Sequence, residues 1–224
     1  MLRFVSVTCL LVFASAALAQ TAPSKAESAA YQGLFAAAQT GDVDAIRRLV
    51  KDGADVNARD AHSRTPAHVA AFASSDDALR ALADADADMN ALEGDAYDVV
   101  TIAAVADDPE LMVLAIELGN DPGLITSPYH GTALIAAAHL GHVEIVKALI
   151  AAGAPLDHVN NLHWTAVMES VVLGDGGPDH QAVLDALLSA GADRQLADRD
   201  GKTPLDHARL RGFTAMTERL ERAD

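Results

Sequence analysis

Apolar residues spaced three and four positions apart recur along this chain in short segments, a spacing typical of amphipathic helices. The clearest segments contain Val43, Ile46, Leu49 and Val50; Val143, Val146, Leu149 and Ile150; and Leu184, Leu187 and Leu188. Residues suited to ending a helix recur at intervals of 33, 33, 34 and 38 positions: Gly53, Asp86, Gly119, Gly153 and Gly191. A period in this range predicts a solenoid of stacked repeats.

Asp86 occupies the position where the other units carry glycine. Glycine adopts the left-handed backbone conformation beyond a helix end without a steric cost, whereas aspartate adopts it less readily. We therefore expect the joint after the second unit to be weaker than the others.

A second set of residues repeats with the same period, and its members are good helix N-caps. They lie 33, 34, 33 and 38 positions apart: Thr65, Asp98, Thr132, Thr165 and Thr203. A short side-chain oxygen at an N-cap accepts a hydrogen bond from an unpaired amide of the first helical turn. Pro66 and Pro204 follow at the first helical position, where a missing N–H has no cost. The caps therefore predict where the inner helix of each unit begins.

These repeated motifs resemble those of the ankyrin-repeat family. The matching segments are Thr65-Pro66-Ala67-His68 with Ala70-Ala71, Gly141-His142-Val143-Glu144-Ile145-Val146, Gly53-Ala54-Asp55-Val56-Asn57, Gly191-Ala192-Asp193 and Asp200-Gly201-Lys202-Thr203-Pro204-Leu205. The resemblance implies an all-α ankyrin-repeat solenoid of about six helix-turn-helix units with hairpin loops, and structural hydrogen bonds for His68 and His142. The approximate units are 31–60, 61–93, 94–126, 127–159, 160–197 and 198–224.

The third unit departs most from the family pattern. It carries Asp98-Val99-Val100-Thr101 at the start of its inner helix, where Thr-Pro-Leu-His is usual. Gly119-Asn120-Asp121-Pro122 stands at its end. The resemblance therefore does not fix the geometry of its hairpin.

Residues 1–19 differ in character from the repeats. Arg3 is followed by an apolar run, and small residues precede Gln20, which is the pattern of a secretory signal peptide cleaved after Ala19. An uncleaved anchor is disfavoured because the run is short, and lipidation of Cys9 is disfavoured because this residue lies inside the run. We expect a periplasmic or secreted protein in which residues 20–30 form a short linker.

Charge and cysteine content limit the classes of partner. The full chain has 16 basic and 32 acidic residues, and cleavage removes Arg3 together with the chain's single cysteine, so the net charge changes from −16 to −17. Nucleic acid and an anionic membrane surface are therefore disfavoured as partners. A protein with a basic surface is favoured, and we expect the mature chain to be a monomer without disulfides or cofactors.

Two sets of repeat positions are free of obvious packing duties, and both are expected on the concave side of the solenoid. We call the residue before each N-cap the pre-cap position; a second set lies seven and eight residues after the cap. With their neighbours, these positions predict the following partner-binding residues: Arg64, Phe72, Tyr97, Tyr129, His139, Leu162, Trp164, Leu173 and Lys202. Trp, Tyr and Arg are frequent binding hot spots. The alternative is that these residues cover adjacent hairpins or are simply solvated.

Other chemical functions have weaker support. His130, His158 and His163 are a candidate metal site on neighbouring hairpins, but thiolates and zinc-type ligand spacing are lacking. Alternating carboxylates at residues 84–88 resemble a calcium loop without its turn glycine. The insertion at residues 175–179 reads as a loop that is either partner-specific or merely tolerated. No recognisable catalytic constellation is present, so we expect a non-enzymatic chain.

These observations favour a non-catalytic scaffold for protein–protein interaction, exported to the periplasm, that binds a protein through its hairpin tips and concave face. Two alternatives remain. Similar small exported bacterial ankyrin proteins are linked to protection from oxidative stress alongside a periplasmic catalase, so this chain is a candidate accessory factor. It is also a candidate effector or immunity protein.

Overall fold

The computed structural model describes residues 22–222 of the chain, so the predicted signal peptide lies outside the described residues. The helices of the described range, in chain order, are α1 (Lys25–Ala30), α2 (Gly33–Thr40), α3 (Val43–Lys51), α4 (Pro66–Phe72), α5 (Asp76–Ala83), α6 (Val99–Ala106), α7 (Pro109–Glu117), α8 (Ala133–Leu140), α9 (Val143–Ala151), α10 (Ala166–Val172), α11 (Pro178–Ser189), α12 (Pro204–Arg211) and α13 (Thr214–Glu221).

Helices α2 to α13 form six consecutive pairs, one in each of the six predicted units. The first helix of each pair packs against the first helices of the neighbouring pairs and forms an inner row; the second helices form an outer row. The predicted all-α solenoid is confirmed. Its core is one continuous apolar cluster that runs from Leu34 to Leu220.

The predicted N-caps begin the inner helices. The side chains of Thr65, Asp98, Thr132, Thr165 and Thr203 each accept a hydrogen bond from the backbone N–H three residues later. Alanines of the inner helices are buried, and Ala70, Ala103 and Ala137 are fully inaccessible. Small side chains therefore allow neighbouring inner helices to pack closely.

The residues predicted to end the outer helices adopt positive φ angles, including Gly53 at 91° and Asp86 at 63°. Asp86 therefore holds the left-handed conformation that its backbone position demands. At the same joint, the outer helices α5 and α7 pack less closely than outer helices elsewhere. A small cavity of about 160 Å³ also lies at this joint, lined in part by Phe72 and Leu111.

Each hairpin is closed by one backbone hydrogen bond to the carbonyl of the pre-cap residue, donated by Asp60, Glu93, Thr126, Asn160 and Asp198 in turn. Neighbouring hairpins are joined by bonds from Gly94 N to His62 O, from Ser127 N to Ala96 O and from Asn161 N to Tyr129 O. The hairpins therefore form a connected row along one edge of the solenoid.

The third unit compensates for its atypical sequence with a buried polar network. Thr101 occupies the position that His68 has in the second unit, and its hydroxyl lies 2.5 Å from Asp98 Oδ1 and 3.0 Å from Thr126 Oγ1. Asn120 donates to Asp98 Oδ2 at 2.8 Å and accepts from the Val100 backbone at 3.0 Å. These bonds connect the start of α6 to the residues that follow α7.

Two predicted loops contain helical residues. The predicted linker 20–30 contains α1, which begins with a reciprocal capping box between Ser24 and Glu27. The insertion at residues 175–179 is a loop only in its first part, because Pro178 and Asp179 begin α11. Among the described residues, no helix is long and apolar enough to cross a membrane.

Candidate functional site

A cavity of about 320 Å³ opens on the face formed by the hairpins and the inner helices α6, α8 and α10. We call this the inner face; it is the side predicted to be concave. Six of the nine predicted partner-binding residues line the cavity: Tyr97, Tyr129, His139, Leu162, Trp164 and Leu173. The repeat register therefore places six of these residues around one cavity, and their role in partner binding stays a prediction.

The lining side chains differ in exposure. Tyr129, Leu162 and Leu173 are each about two-fifths exposed, at 43%, 37% and 38%, and Trp164 is half-buried. Tyr97 is only 6% exposed, so the expectation that packing does not require it was wrong. The exposed residues form a rim suited to contact with a partner, while Tyr97 belongs to the wall.

The other three predicted residues lie outside this cavity. Phe72 lines the smaller cavity at the joint between the second and third units. Lys202 is exposed on the last hairpin. Arg64 is fully buried, so the prediction that it lies on an open binding surface is corrected.

Arg64 is buried because α1 and the first hairpin supply two carboxylates for it. Its Nε donates to Asp60 Oδ2 at 2.7 Å, and a second guanidinium nitrogen donates to Glu27 Oε1. Tyr31 also donates to Asp60, at 2.7 Å. Hydrogen bonds from Ser24 and Arg64 lower the pKa of Glu27 to about 2, and bonds from Tyr31 and Arg64 outweigh burial and lower the pKa of Asp60. The cluster ties α1 to the second unit.

The cavity also contains a carboxyl group that sequence reasoning missed. Glu169 lies on α10 and is 5% exposed. Its Oε1 accepts a hydrogen bond from Asn160 Nδ2 at 2.9 Å, and its Oε2 lies 3.5 Å from His139 Nδ1. Burial raises the pKa of Glu169 to about 7, against the opposing effect of the Asn160 bond. Burial, and then the neighbouring His180, lower the pKa of His139.

A sequence signal for Glu169 exists in the repeat register. It lies four residues after the cap Thr165, a position that Val69, Ile102 and Ala136 fill in the earlier units. In the last unit His207 takes this position, and its Nε2 lies 2.7 Å from Asp198 Oδ2. Asn160 occupies in the fifth unit the repeat position that Asp198 occupies in the last unit. The fifth unit therefore pairs the carboxyl group of Glu169 with an amide instead of a group of opposite charge.

The predicted structural histidines make the expected hydrogen bonds. His68 is 1% exposed, and its two ring nitrogens contact Thr65 Oγ1 at 2.8 Å and Tyr97 O at 3.1 Å. Burial lowers the pKa of His68 to about 4. His142 Nδ1 lies 2.8 Å from Ala104 O. Both side chains therefore connect one repeat to its neighbour.

The weaker metal hypotheses concern residues that are engaged in turns and backbone contacts. His158 Nε2 lies 2.7 Å from the backbone carbonyl of His130. Asp88 Oδ1 accepts from the Asn90 backbone at 3.0 Å within the acidic segment 84–88. Residues 22–222 contain no group of three or more His, Cys, Asp or Glu side chains placed to hold a metal ion.

Known proteins share both the sequence pattern and the fold. The ankyrin repeats family (three copies) matches residues 7–93 and 100–198. The ankyrin repeat protein YahD of Escherichia coli (strain K12) is 34% identical over 185 residues, which cover 82% of this chain and 92% of YahD.

Solved structures agree with this relationship. An ankyrin repeat domain from Acinetobacter baumannii AYE has a TM-score of 0.78 and 39% identity, covering 84% of this chain and 95% of that one. A chain from the complex of the Bdellovibrio bacteriovorus predatory endopeptidase Bd0816 with immunity protein Bd3460 has a TM-score of 0.71 and 23% identity, covering 87% and 99%. On the combined evidence of repeat motifs, fold and relatives, this chain belongs to the ankyrin-repeat family.

Proposed function

We propose that this chain is a non-catalytic scaffold, exported to the periplasm, that binds a protein partner through its hairpin tips and inner face. Ankyrin repeats mediate protein–protein interactions. The observation that carries the proposal for this chain is the inner-face cavity, where an exposed aromatic and aliphatic rim surrounds a buried carboxyl group. Such a rim with a few polar groups inside is the usual composition of a recognition site.

The identity of the rim residues supports binding over simple solvation. Tyr129, Leu162 and Leu173 are exposed large side chains that fall on one cavity, and Trp164 joins them. Clustered exposed apolar residues mark interaction surfaces more often than scattered ones do. The net charge of −16 favours a partner with a basic surface through electrostatic steering at low salt.

The proposal is tested by quantitative affinity capture from a periplasmic extract. Wild-type protein is compared with the double variant Tyr129→Ala/Trp164→Ala and with Val113→Ala, a control on the outer helix α7, where Val113 is 47% exposed. We expect the double variant to lose at least 10-fold in partner recovery while the control retains it. Equal recovery by all three folded proteins contradicts binding through the inner face.

The captured protein also separates the alternatives, because a catalase supports the stress-protection role and a toxin supports the immunity role. Export is tested by fractionating the native host and determining the amino terminus of the protein. We expect the periplasmic form to begin at Gln20. A chain that keeps residue 1 and stays in the cytoplasm contradicts export.

A further inference from the structure

The inner-face cavity holds a carboxyl group whose hydrogen-bonding capacity is only partly used. Glu169 Oε1 accepts from Asn160 at 2.9 Å. Its Oε2 has one polar neighbour among residues 22–222, His139 Nδ1 at 3.5 Å, which is long for a hydrogen bond. A carboxylate has about four acceptor sites, so this buried group has room for a further donor.

The cation that such a carboxylate requires is absent from the surrounding helices. On α8 the facing group is His139, whose lowered pKa keeps it neutral at pH 7. On α11 His180 contacts Asp175 at 3.0 Å, and on α12 His207 contacts Asp198 at 2.7 Å. Arg211 of α12 is turned to the backbone carbonyls of Val171 and Val172. Glu169 therefore has no charged partner in the described part of the chain.

We propose that this cavity receives a lysine side chain of the protein partner, with its ammonium group at Glu169 Oε2 and its methylene stem against the apolar lining. The proposal rests on the proposed function and specifies the partner's chemistry. The lining supplies apolar contacts from Val105, Leu140 and Leu173 beside the aromatic side chains of Tyr97 and Trp164. Aromatic faces attract a cation, and aliphatic walls accommodate its stem.

Lysine fits this geometry better than arginine does. Arginine is preferred where both oxygens of a carboxylate are available for a bidentate contact. Here Asn160 already occupies one acceptor site of Oε1, so Oε2 is the less engaged of the two oxygens. A compact ammonium group needs one such oxygen. The cavity volume of about 320 Å³ is at the small end of ligand pockets and suits one side chain.

The free energy of binding favours a cation from the partner because Glu169 is already buried in the free chain. Removing an ion pair from water is expensive for both charges. In this cavity the free-energy cost of removing the Glu169 carboxyl group from water is incurred during folding, and the raised pKa of Glu169 reflects this cost. Since an ammonium group favours the ionised carboxylate, its binding strengthens as the pH rises through about 7.

The test uses the chain's single tryptophan, Trp164, as the reporter. Its indole ¹H–¹⁵N signal is followed while Nα-acetyl-lysine methylamide is added to purified protein at pH 8 and at pH 6. The norleucine analogue is the uncharged comparator, and the arginine analogue tests the choice of cation. We expect saturable shifts with lysine that are about 10-fold tighter than with norleucine at pH 8, and several-fold weaker at pH 6.

Glu169→Gln is the decisive variant, because it removes the charge and keeps the shape of the side chain. We expect it to reduce lysine binding to the norleucine level and to abolish the pH dependence. Glu93→Gln is the matched control: Glu93 is a buried carboxyl, 6% exposed, that does not line this cavity. Unchanged lysine binding in folded Glu169→Gln overturns the proposal, as does equal binding of norleucine or tighter binding of arginine.

This outcome is separable from that of the proposed function. Partner capture that survives Glu169→Gln but is lost in Tyr129→Ala/Trp164→Ala supports the scaffold and overturns the lysine inference. If the lysine compound binds at Glu169 but the protein partner is captured equally by wild type and the double variant, the cavity binds lysine but not a lysine of this partner, which overturns both the proposed binding face and the assignment of the lysine to the partner.

Discussion

Arg64 and Trp164 occupy the same pre-cap position in two repeats, yet their surroundings are opposite. Arg64 is fully buried between Asp60 and Glu27, and α1 lies over that end of the solenoid. Trp164 is half-buried and borders an open cavity. The pre-cap position therefore belongs to a closed structural cluster in one unit and to an accessible site in another.

The carboxyl groups near these residues show the same contrast. Around Arg64 the chain supplies its own cation, and the pKa values of Glu27 and Asp60 are low. In the cavity the chain supplies an amide from Asn160, and the pKa of Glu169 is raised to about 7. A buried charge that is matched internally is costly to break, whereas an unmatched one costs stability in the free chain and favours an external partner.

The largest expected effect is on the closed cluster. Arg64→Ala leaves the carboxylate of Asp60 without its cation in a largely buried site, so we expect the free energy of unfolding to fall by roughly 3 kcal/mol. Urea unfolding followed by circular dichroism measures it. Lys202→Ala is the control, because Lys202 is an exposed cation at the same repeat position, and we expect a change within about 0.5 kcal/mol. Equal losses of unfolding free energy in Arg64→Ala and Lys202→Ala would contradict the distinction between a buried and an exposed cation at this repeat position.

The carboxyl group of the inner-face cavity should make the fold less stable as the pH rises through 7. Because the pKa of Glu169 is raised from 4.5 to about 7 in the folded chain, its protonated form stabilises the fold below pH 4.5, and this stabilisation is lost as the pH rises through 7. The quantity compared is the unfolding free energy of Glu169→Gln minus that of wild type. We expect this difference to be roughly 2 kcal/mol larger at pH 8 than at pH 5. Urea unfolding at both pH values tests this. A pH-independent difference would show that the carboxyl group is not buried.

The second unit should respond in the opposite direction, to acid. Burial lowers the pKa of His68 from 6.5 to about 4, so its contribution is complete above pH 6.5 and is lost as the pH falls toward 4. We expect a loss of roughly 1 to 2 kcal/mol between pH 7 and pH 5, measured by urea unfolding at both pH values and by lower protection factors of the α4 amides once the intrinsic pH dependence of exchange is divided out.

His68→Gln is the matching control for acid sensitivity. Glutamine keeps the capping-box position three residues after Thr65 but does not titrate. Its unfolding free energy should therefore change less between pH 7 and pH 5 than that of wild type. If the unfolding free energy of His68→Gln falls between pH 7 and pH 5 as much as that of wild type, the acid sensitivity belongs to other groups.

The smallest expected effect concerns the joint between the closed and open regions. Asp86 has a φ angle of 63° where Gly53 has 91°. We expect Asp86→Gly to stabilise the chain by about 0.5 kcal/mol and Gly53→Asp to destabilise it by about 1 kcal/mol, because glycine adopts this conformation without strain. Thermal unfolding of the two variants measures both. A destabilising Asp86→Gly change would show that the aspartate side chain makes a compensating contact.

Most of the fold followed from local patterns. The caps Thr65 and Thr203, the prolines after them and the glycines at helix ends act within a few residues, so their roles are legible in the sequence. The linker 20–30 was the exception: its Ser24–Glu27 capping box is a local signal for the start of α1 that was not used, and Arg64, which donates to Glu27, lies 37 residues after it. A contact of that separation leaves no local pattern.

The candidate site was predictable in part. Repeat spacing placed Tyr129, Leu162 and Trp164 on one face because stacking carries a fixed register from unit to unit. The same reasoning wrongly placed Arg64 on that face, since burial depends on what covers a position. It passed over Glu169, whose polar character in a register that is apolar in the three preceding units was visible.

The residue pattern alone thus established the repeat, the helix boundaries and the face on which a partner is expected, because these depend on local hydrogen bonding and helical periodicity. Tertiary structure decided which charges are matched. Arg64 meets Glu27 of α1, and Glu169 meets the imidazole of His139 on the neighbouring unit and the amide of Asn160 in its own unit. Charge compensation depends on distances across the stack, and these exist only once the units have packed together.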